Sequence, residues 1–292
     1  MGGESRVLIF GGEGQVGQAI RAEDPEGAAI ALGRDHADVT DPSAIEAALD
    51  TYVPEVVINT AVFQPVDLCE TAVSSAFSVN ALGPGLLAAA CKDRGTRLIH
   101  LSTDYVFSGS KRTPFSEGDC PAPINVYGRS KLAGEHVVRA SDTRHCVVRT
   151  SSVYGLAKRS GVQSFVARML QRASDGQPTR VVDDQIVSPT RAEDLARALW
   201  RLVGNDVSGL LHMAGSTPAS WYEVAEVVFR FADRLDLLTR TTSADFGAPA
   251  TRAPYTALTS VRRGETGIDP IPGFEVALRR HLSAAYPDIA RG

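Results

Sequence analysis

A glycine-rich turn near the start of the chain constrains its fold more than any other feature. Arg6–Phe10 is a short apolar run typical of a buried strand, and Gly11, Gly14 and Gly17 follow it at three-residue spacing. Gln15–Ala22 then has the pattern of a helix. Glycines let a backbone turn tightly and approach a diphosphate, whose charge is favoured at a helix N-terminus. The order strand, glycine turn, helix predicts a dinucleotide-binding fold, with a purely structural turn as the alternative.

The first half of the chain continues this alternation of strands and helices. Further strands are predicted at Ala28–Leu32, Val56–Asn59, Arg97–Leu101 and Cys146–Arg149, and further helices at Ser43–Tyr52, Ser74–Arg94 and Tyr127–Ala140. Such alternation is typical of an α/β fold with a doubly wound, Rossmann-like parallel sheet covered on both faces. Ligands bind beyond the carboxyl ends of the strands in these sheets.

The second half is less regular and predicts a smaller C-terminal lobe. Helices are expected at Gln163–Ala173, Glu193–Leu202 and Trp221–Leu235, the last capped by Ser220, whereas segment 239–260 resembles a loop. We therefore assign residues 1–150 to a dinucleotide-binding domain, to which later segments return. Residues 151–292 form mainly a substrate-binding lobe in this assignment.

Composition narrows the functional classes. The 292 residues carry a formal net charge of -4, which gives no support to a nucleic-acid or membrane-surface partner. No apolar run is expected to reach the roughly 20 residues of a membrane span, and the start of the chain lacks the pattern of a signal peptide. The four cysteines are scattered and the six histidines lack metal-binding spacing. We expect a cytoplasmic protein with reduced thiols and no metal, and the sequence is compatible with a homodimer.

The residues after the second predicted strand bear on the choice of cofactor. An acidic side chain there would favour NAD through the ribose hydroxyls. This chain has Gly33-Arg34 instead, and Arg34 is placed to meet a 2′-phosphate. NADPH is therefore favoured and NADH is the alternative, while a solvated surface arginine is the competing interpretation. Asp38 and Val39 follow at a place where a loop would cover the adenine.

Tyr127 and Lys131 form a spaced pair that suggests acid–base chemistry. Residues four apart share one face of a helix. An ammonium near a tyrosine hydroxyl stabilises the phenolate and lowers the tyrosine pKa, which makes proton transfer to a carbonyl oxygen practical. Thr103 closely follows the predicted strand Arg97–Leu101 on the ligand-binding side of the sheet, where its hydroxyl would meet the same oxygen. The pair alone is common by chance, but with Thr103 and the glycine turn it predicts a ketone reductase.

These residues together resemble the extended short-chain dehydrogenase/reductases, and more narrowly the dTDP-4-dehydrorhamnose reductase family. The similarity covers nearly the whole chain and is strongest over residues 102–135, which contain Ser102-Thr-Asp-Tyr-Val-Phe107 and Tyr127-Gly-Arg-Ser-Lys131. The resemblance implies that a hydride reaches C4 of a 4-keto-6-deoxy sugar while Tyr127 protonates the alkoxide. The catalytic residues it implies are Thr103, Tyr127 and Lys131.

The resemblance also implies binding residues for the cofactor and for a nucleotide-sugar substrate. The cofactor-binding set is Gly11, Gly14, Gln15, Val16, Asp38, Val39, Ala61, Thr103, Tyr127 and Lys131, to which the charge argument adds Arg34. The substrate-binding set is Asp104, Asn125, Ser152 and Gln185. Asn80 is expected to be a structural hydrogen-bonding residue near the site.

Three departures from the family pattern fall where the family contacts its sugar. Ser152 stands where a tryptophan is usual, Leu68 where a lysine is usual, and 62–65 reads Val-Phe-Gln-Pro instead of an Ala-Ala-Tyr-Thr-like segment. The cofactor residues thus match the family better than the substrate pocket does. A 4-ketoreductase for a different nucleotide-linked deoxysugar is therefore an alternative. The pattern also resembles the dinucleotide-binding regulatory subunit of methionine adenosyltransferase, against which the intact Thr103, Tyr127 and Lys131 argue.

Overall fold

The computed structural model describes residues 7–27, 29–155 and 163–287. Arg6 and Ala28, predicted to begin the first two strands, lie outside the described residues, as does the start of the chain used to argue against a signal peptide. The strands are β1 (Val7–Phe10), β2 (Ile30–Leu32), β3 (Val56–Asn59), β4 (Arg97–Thr103), β5 (Cys146–Thr150), β6 (Val153–Tyr154), β7 (Thr179–Val182), β8 (Ile186–Val187), β9 (Thr190–Arg191), β10 (Gly209–His212), β11 (Ala219–Ser220) and β12 (Leu238–Thr241).

The α-helices alternate with the strands in the first half of the chain, and the longest of them is α6. They are α1 (Gln15–Ala22), α2 (Pro42–Tyr52), α3 (Val66–Thr71), α4 (Val73–Phe77), α5 (Gly83–Asp93), α6 (Val126–Ser141), α7 (Phe165–Ser174), α8 (Ala192–Val203), α9 (Trp221–Phe231), α10 (Ser243–Phe246), α11 (Arg263–Thr266) and α12 (Phe274–Ala285). A π-helical turn, Ser78–Leu82, joins α4 to α5, and two 3₁₀ turns cover Asp104–Val106 and Leu235–Leu237.

A six-stranded parallel sheet in the order β10-β5-β4-β3-β1-β2 forms the centre of the molecule. Successive residues of β1 enter different cores, because side chains alternate across a sheet. Val7 and Ile9 pack on the face covered by α1 and α8, whereas Leu8 and Phe10 pack on the face covered by α2 and α5. The doubly wound parallel sheet predicted from the sequence is confirmed.

The last strand of this sheet comes from late in the chain. β10 pairs in parallel with β5, through Gly209 opposite Cys146 and His212 opposite Arg149. Helix α8, which precedes β10, packs against α1, and the Trp200 indole N–H donates to the Ile20 carbonyl at 2.8 Å. Residues 192–212 thus belong to the central layer, while the division near residue 150 stays a prediction.

The smaller lobe has its own core, formed by α7, α9 and α12 around the parallel pair β7–β12. Helix α9 begins with a capping box, as the expected cap at Ser220 suggested. The Ser220 hydroxyl accepts from the Glu223 N–H at 3.1 Å, and the Glu223 carboxylate accepts from the Ser220 N–H at 2.7 Å. Both groups are otherwise without helical partners at a helix start, so the cap fixes where α9 begins.

Several predicted elements differ from the structure. The segment 239–260 predicted as loop contains most of β12 and all of α10, because β12 finds its partner β7 far away in sequence. The helix predicted to run to Leu235 ends at Phe231, and the helix predicted over 74–94 is interrupted by the π-helical turn.

By length and composition Val73–Asp93 is apolar enough to span a membrane, contrary to the expectation that no such run exists. It packs in part against the sheet, burying Leu87, Ala88 and Cys91.

Candidate active site

The glycine turn lies at the carboxyl end of β1, which is flanked in the sheet by β2 on one side and by β3 on the other. Gly11 has a φ of +74°, and a Cβ atom there would lie 2.5 Å from the Ala61 backbone nitrogen. A Cβ at Gly17 would lie 2.6 Å from the Gly12 Cα. Only glycine fits both positions, since these neighbours are backbone atoms that cannot move aside. The turn is therefore closely packed at the crevice where such sheets bind ligands.

The first turn of α1 presents the donors that a diphosphate needs. Gly14 is the N-cap and has no side chain to occupy the free N–H groups of the helix. The Gln15 side-chain nitrogen is buried and has no hydrogen-bond partner within the described residues. A buried amide without a partner is costly, so this nitrogen is suited to a ligand oxygen. The predicted residues Gly11, Gly14, Gln15 and Ala61 thus come together, and they fit a dinucleotide.

The loop after β2 holds the residues expected to discriminate between cofactors. Arg34 is 82% exposed and donates from Nε to Asp38 at 3.0 Å. Hydrogen bonds from Thr40 and then from Arg34 hold the pKa of Asp38 below its usual value, whereas its partial burial acts in the opposite direction. A Cβ at Gly33 would lie 2.4 Å from the Glu13 carboxyl carbon, so Glu13 extends over this loop. The sequence argument did not include Glu13, which comes from the glycine turn.

Helix α6 places Tyr127 and is fixed at its first turn by two side chains. The Asn125 side-chain oxygen accepts from the Gly128 N–H at 2.8 Å, and its side-chain nitrogen donates to the Thr251 carbonyl at 2.9 Å. The Glu70 carboxylate accepts from the Val126 N–H, also at 2.8 Å. Asn125, predicted to bind substrate, is thus an N-cap whose oxygen and nitrogen are both engaged within the fold.

The Tyr127 side chain is 5% exposed and packs edge-on against Tyr105, with ring centroids 5.4 Å apart. The Gln64 amide donates to the Tyr127 hydroxyl at 3.3 Å. Burial raises the Tyr127 pKa well above its usual value, and hydrogen bonds from Gln64 and Thr103 partly oppose that rise. The Tyr127 hydroxyl therefore keeps its proton at neutral pH. Its neighbour Gln64 was noted in the sequence only as part of the departure at 62–65.

Lys131 lies one turn beyond Tyr127 and is also buried, at 2% exposed. Its Nζ donates to the Leu101 carbonyl at 2.6 Å and lies 3.5 Å from His100 Nε2. Burial lowers the Lys131 pKa to about 8. The side chain that hydrogen-bonds the tyrosine hydroxyl is thus Gln64, whereas the sequence argument expected Lys131 to act on it.

Asp104, next to Thr103, is buried and accepts three hydroxyl hydrogen bonds. Thr103, Ser151 and Thr256 donate to its carboxylate at 3.1, 2.9 and 2.6 Å. Burial raises the Asp104 pKa to about 6, and these donors limit the rise. Asp104 was predicted to bind substrate, but in the structure it ties Thr103 to the loop that contains Thr256.

A small cleft beside this cluster lies between the central sheet and the smaller lobe. Gln185, predicted to bind substrate, lines it and donates to the Ser243 hydroxyl at 2.8 Å. Ser152 is not among the lining residues and has a φ of +46°. The cleft is lined by Tyr105, Phe107, Ile124, Asn125, Gln185, Val187, Trp221, Arg252, Ala253 and Thr256.

Trp221 and Arg252 are cleft residues that the sequence argument missed. Arg252 donates to both carboxylate oxygens of Asp67, at 2.7 and 2.9 Å, across 185 residues of sequence. No local pattern marks such a pair. Its effect is to hold the 250–257 loop against α3, which closes one side of the cleft.

Asn80 connects the π-helical turn to the segment that carries Gln64. Its side-chain oxygen accepts from the Phe63 N–H at 2.8 Å, and its nitrogen donates to the Ser130 hydroxyl at 3.0 Å. A Cβ at Gly134 would lie 2.2 Å from the Asn80 carbonyl oxygen. The π-helical turn therefore packs directly on α6, and Asn80 has the structural position expected for it.

Behind the site, Arg149 and Glu135 form an ion pair in the interior. Their side chains are 2% and 0% exposed, and the guanidinium donates to the carboxylate at 2.6 and 2.8 Å. The Ser102 hydroxyl donates to the same carboxylate, and Arg149 also lies 3.4 Å from His212. This pair ties β5 to α6, the helix that carries Tyr127 and Lys131.

Comparison with known proteins identifies relatives along the whole chain. A Streptomyces antibioticus protein named as a probable dTDP-4,6-dihydroxy-2-methyloxan-3-one 4-ketoreductase is 41% identical over 291 residues, which cover 97% of this chain and 95% of that protein. The dTDP-4-dehydrorhamnose reductase of Mycobacterium tuberculosis is 40% identical over 293 residues, covering 97% and 94%. Residues 5–286 match the RmlD substrate binding domain family. The chain belongs to the dTDP-4-dehydrorhamnose reductase family.

A solved structure agrees with this assignment. The crystal structure of dTDP-4-dehydrorhamnose reductase from Bacillus anthracis in complex with NADP superimposes with a TM-score of 0.91 at 31% identity, covering 96% of this chain and 99% of that one. As a member of this family, the chain is an NAD(P)H-dependent oxidoreductase of the 4-ketoreductase type. Within residues 7–27, 29–155 and 163–287, no group of three or more His, Cys, Asp or Glu side chains is arranged to hold a metal ion.

Proposed function

We propose that this reductase acts with NADPH on the C4 ketone of a dTDP-linked 4-keto-6-deoxy sugar, with dTDP-4-dehydrorhamnose as substrate and dTDP-L-rhamnose as product. The observation that carries the proposal is the buried Tyr127 hydroxyl, held by Gln64 at the ligand-binding edge of the sheet. Relatives about 40% identical carry the name of this activity.

The residues have distinct roles in this proposal. The reduced nicotinamide, when bound, supplies the hydride for the ketone carbon. Tyr127 donates its proton to the sugar oxygen as that oxygen becomes an alkoxide, while the Thr103 hydroxyl turns its hydrogen from Asp104 to the same oxygen. Lys131 holds the ribose. Gly11, Gly14, Gln15, Val16, Arg34, Asp38, Val39 and Ala61 hold the remainder of the cofactor.

A second candidate is a 4-ketoreductase for a different dTDP-deoxysugar. It is supported by the Streptomyces antibioticus relative, whose name specifies another sugar ketone. It is also supported by Leu68, which is 46% exposed where the family usually has a lysine, and by Gln64 beside the catalytic tyrosine. The two candidates share the chemistry at Tyr127 and differ in the sugar presented to it.

The same proposal assigns the protein to the cytoplasm. The thiols of Cys69, Cys91, Cys120 and Cys146 are all free, which suits a reducing compartment. A homodimer is compatible with the proposal, and none of the residues assigned a role has to come from a second copy.

The test is a spectrophotometric assay with purified protein, NADPH and enzymatically prepared dTDP-4-keto-6-deoxy sugars of several configurations. Oxidation of NADPH with dTDP-4-dehydrorhamnose as the best substrate, measured as kcat/KM, supports the proposal. A higher kcat/KM for another ketosugar favours the second candidate. NADPH binding without turnover of any ketosugar contradicts both and favours a non-catalytic dinucleotide-binding subunit.

Arg34→Ala should weaken NADPH binding about tenfold and change NADH binding little. A charge-assisted hydrogen bond contributes about 1.5–3 kcal/mol, and the lower figure, about tenfold, applies to a side chain as exposed as Arg34. Only NADPH has the 2′-phosphate that Arg34 would meet. Titration of protein fluorescence gives both dissociation constants. Arg139→Ala, an exposed arginine on α6, is the control. An equal effect on the two cofactors would show that Arg34 does not contact the 2′-phosphate.

Gln64→Leu should lower kcat about 3- to 10-fold, because the hydrogen bond to the Tyr127 hydroxyl is lost and such bonds contribute about 0.5–1.5 kcal/mol. Steady-state kinetics measure the effect. Gln171→Leu is the matched control, since Gln171 is an exposed glutamine that donates to Asp175 on the outer face of α7. An unchanged kcat in Gln64→Leu would remove Gln64 from the reaction.

A further inference from the structure

Three side chains form a buried line beneath the catalytic helix. Asn59 ends β3, His100 lies in β4 and Lys131 projects from α6, with exposures of 1%, 0% and 2%. Nothing in the sequence argument connected them. The line begins next to Ala61, in the segment assigned to the cofactor, and ends at the lysine assigned to catalysis.

The hydrogen bonds of this line determine which nitrogen of His100 carries the proton. The Asn59 side-chain oxygen accepts from the Ala61 N–H at 3.0 Å, so its side-chain nitrogen is the atom 3.2 Å from His100 Nδ1. An amide nitrogen only donates, and Nδ1 must therefore accept. Burial lowers the His100 pKa well below its usual value, so the ring is neutral. A neutral ring that accepts at Nδ1 carries its hydrogen on Nε2.

The hydrogen on Nε2 points towards Lys131. His100 Nε2 lies 3.5 Å from Nζ, which also donates to the Leu101 carbonyl at 2.6 Å. An ammonium has only donors, so an ammonium here would oppose the Nε2–H, whereas a neutral amine accepts from it with its lone pair. The other charged group that acts on Lys131 is Glu135, which favours the ammonium, and both carboxylate oxygens of Glu135 are engaged by Arg149.

We propose that His100 is a positioning residue of this reductase, which Asn59 fixes as the Nε2–H tautomer so that it orients Lys131 and favours its neutral amine. The lowered pKa of Lys131, about 8, agrees with this arrangement. Lys131 is then a group that exchanges its proton near neutral pH, one helical turn from Tyr127. The kinetic consequence rests on the proposed function, whereas the tautomer does not.

The tautomer is tested directly by NMR of the full-length protein labelled with ¹⁵N-histidine, with His100→Phe used to assign the signal. We expect His100 to stay neutral and protonated on Nε2 from pH 6 to pH 9. Asn59→Asp should reverse the tautomer, because a carboxylate oxygen accepts from Nδ1–H while the other keeps the Ala61 N–H. A wild-type His100 that is protonated on Nδ1, or that titrates in this range, overturns the proposal.

The effect on Lys131 is tested by the pH dependence of kcat/KM with the best ketosugar. We expect the alkaline limb of His100→Phe to move to a pH higher by about 1, a tenfold change in proton affinity, and that of Asn59→Asp to move further. The double variant Asn59→Asp/His100→Phe keeps the added carboxylate but lacks His100, so it separates the effect of the charge from the effect transmitted through His100. If the alkaline limb is unchanged in His100→Phe and activity falls equally at every pH, His100 has only a structural role. That result overturns the proposed effect of His100 on Lys131. If His100→Phe does not fold, the wild-type and Asn59→Asp spectra still decide the tautomer.

These two arms distinguish failure of the inference from failure of the proposed function. Absence of turnover with every ketosugar would contradict the proposed reaction and leave the tautomer measurable. A reversed tautomer together with normal ketosugar reduction would refute the role of His100 alone.

Discussion

Tyr127→Phe should lower kcat for ketosugar reduction at least about 100-fold while leaving the fold and NADPH binding close to normal. Positioned general acids contribute about 10²- to 10⁴-fold, and phenylalanine removes only the proton donor. The edge-on packing against Tyr105 is retained, and Gln64 is exposed, so water can replace the lost hydroxyl as its acceptor. Pre-steady-state and steady-state assays with the same ketosugar measure the loss.

Tyr154→Phe is the matched control for this variant. The Tyr154 side chain is buried in the core of the smaller lobe, and its hydroxyl has no hydrogen-bond partner within the described residues. The same chemical change there should leave kcat unaltered and not reduce stability. A Tyr127→Phe protein with more than about a tenth of wild-type activity would show that another group donates the proton.

Arg149→Met should destabilise the protein by about 3–5 kcal/mol, because it leaves the Glu135 carboxylate buried without its cation. That loss is a large part of the roughly 5–15 kcal/mol by which a domain of this kind is stable. Urea unfolding followed by circular dichroism measures it. Adding Glu135→Met should recover much of the loss, since a hydrophobic pair carries no charge that needs compensation.

The surface pair Arg279–Glu275 provides the comparison. Both side chains are more than half exposed and lie four residues apart on α12, so Arg279→Ala should change the free energy of unfolding by less than about 0.5 kcal/mol. Equal losses in Arg149→Met and Arg279→Ala would mean that the interior pair contributes no more than a solvated one.

The first half of the fold could be predicted because its signals are local. The helix Gln15–Ala22 and the strand Val56–Asn59 have the predicted limits, since a glycine turn and continuous apolar runs mark them. The strand Gly209–His212 and the helix Phe274–Ala285 were not predicted. The strand is only four residues long, and its identity comes from pairing with Cys146–Arg149, a contact that no local pattern reveals.

The candidate site follows the same division. Thr103, Tyr127 and Lys131 could be proposed because a strand end and a helical spacing place them on the binding side of the sheet. Gln64 and Arg252 could not, because their partners Tyr127 and Asp67 are 63 and 185 residues away in sequence. Asn125 was chosen for its place in the motif, and its side chain is engaged in capping α6.

The late sixth strand has a consequence for the order in which this protein can be completed during synthesis. β5 finishes at Thr150, but its outer neighbour β10 begins only at Gly209. Until the ribosome has produced that segment, β5 is an unpaired edge, and the α1 face lacks the cover that α8 provides. An unpaired strand edge invites pairing with other chains. The first half of the smaller lobe must therefore be synthesised before the central sheet can be completed.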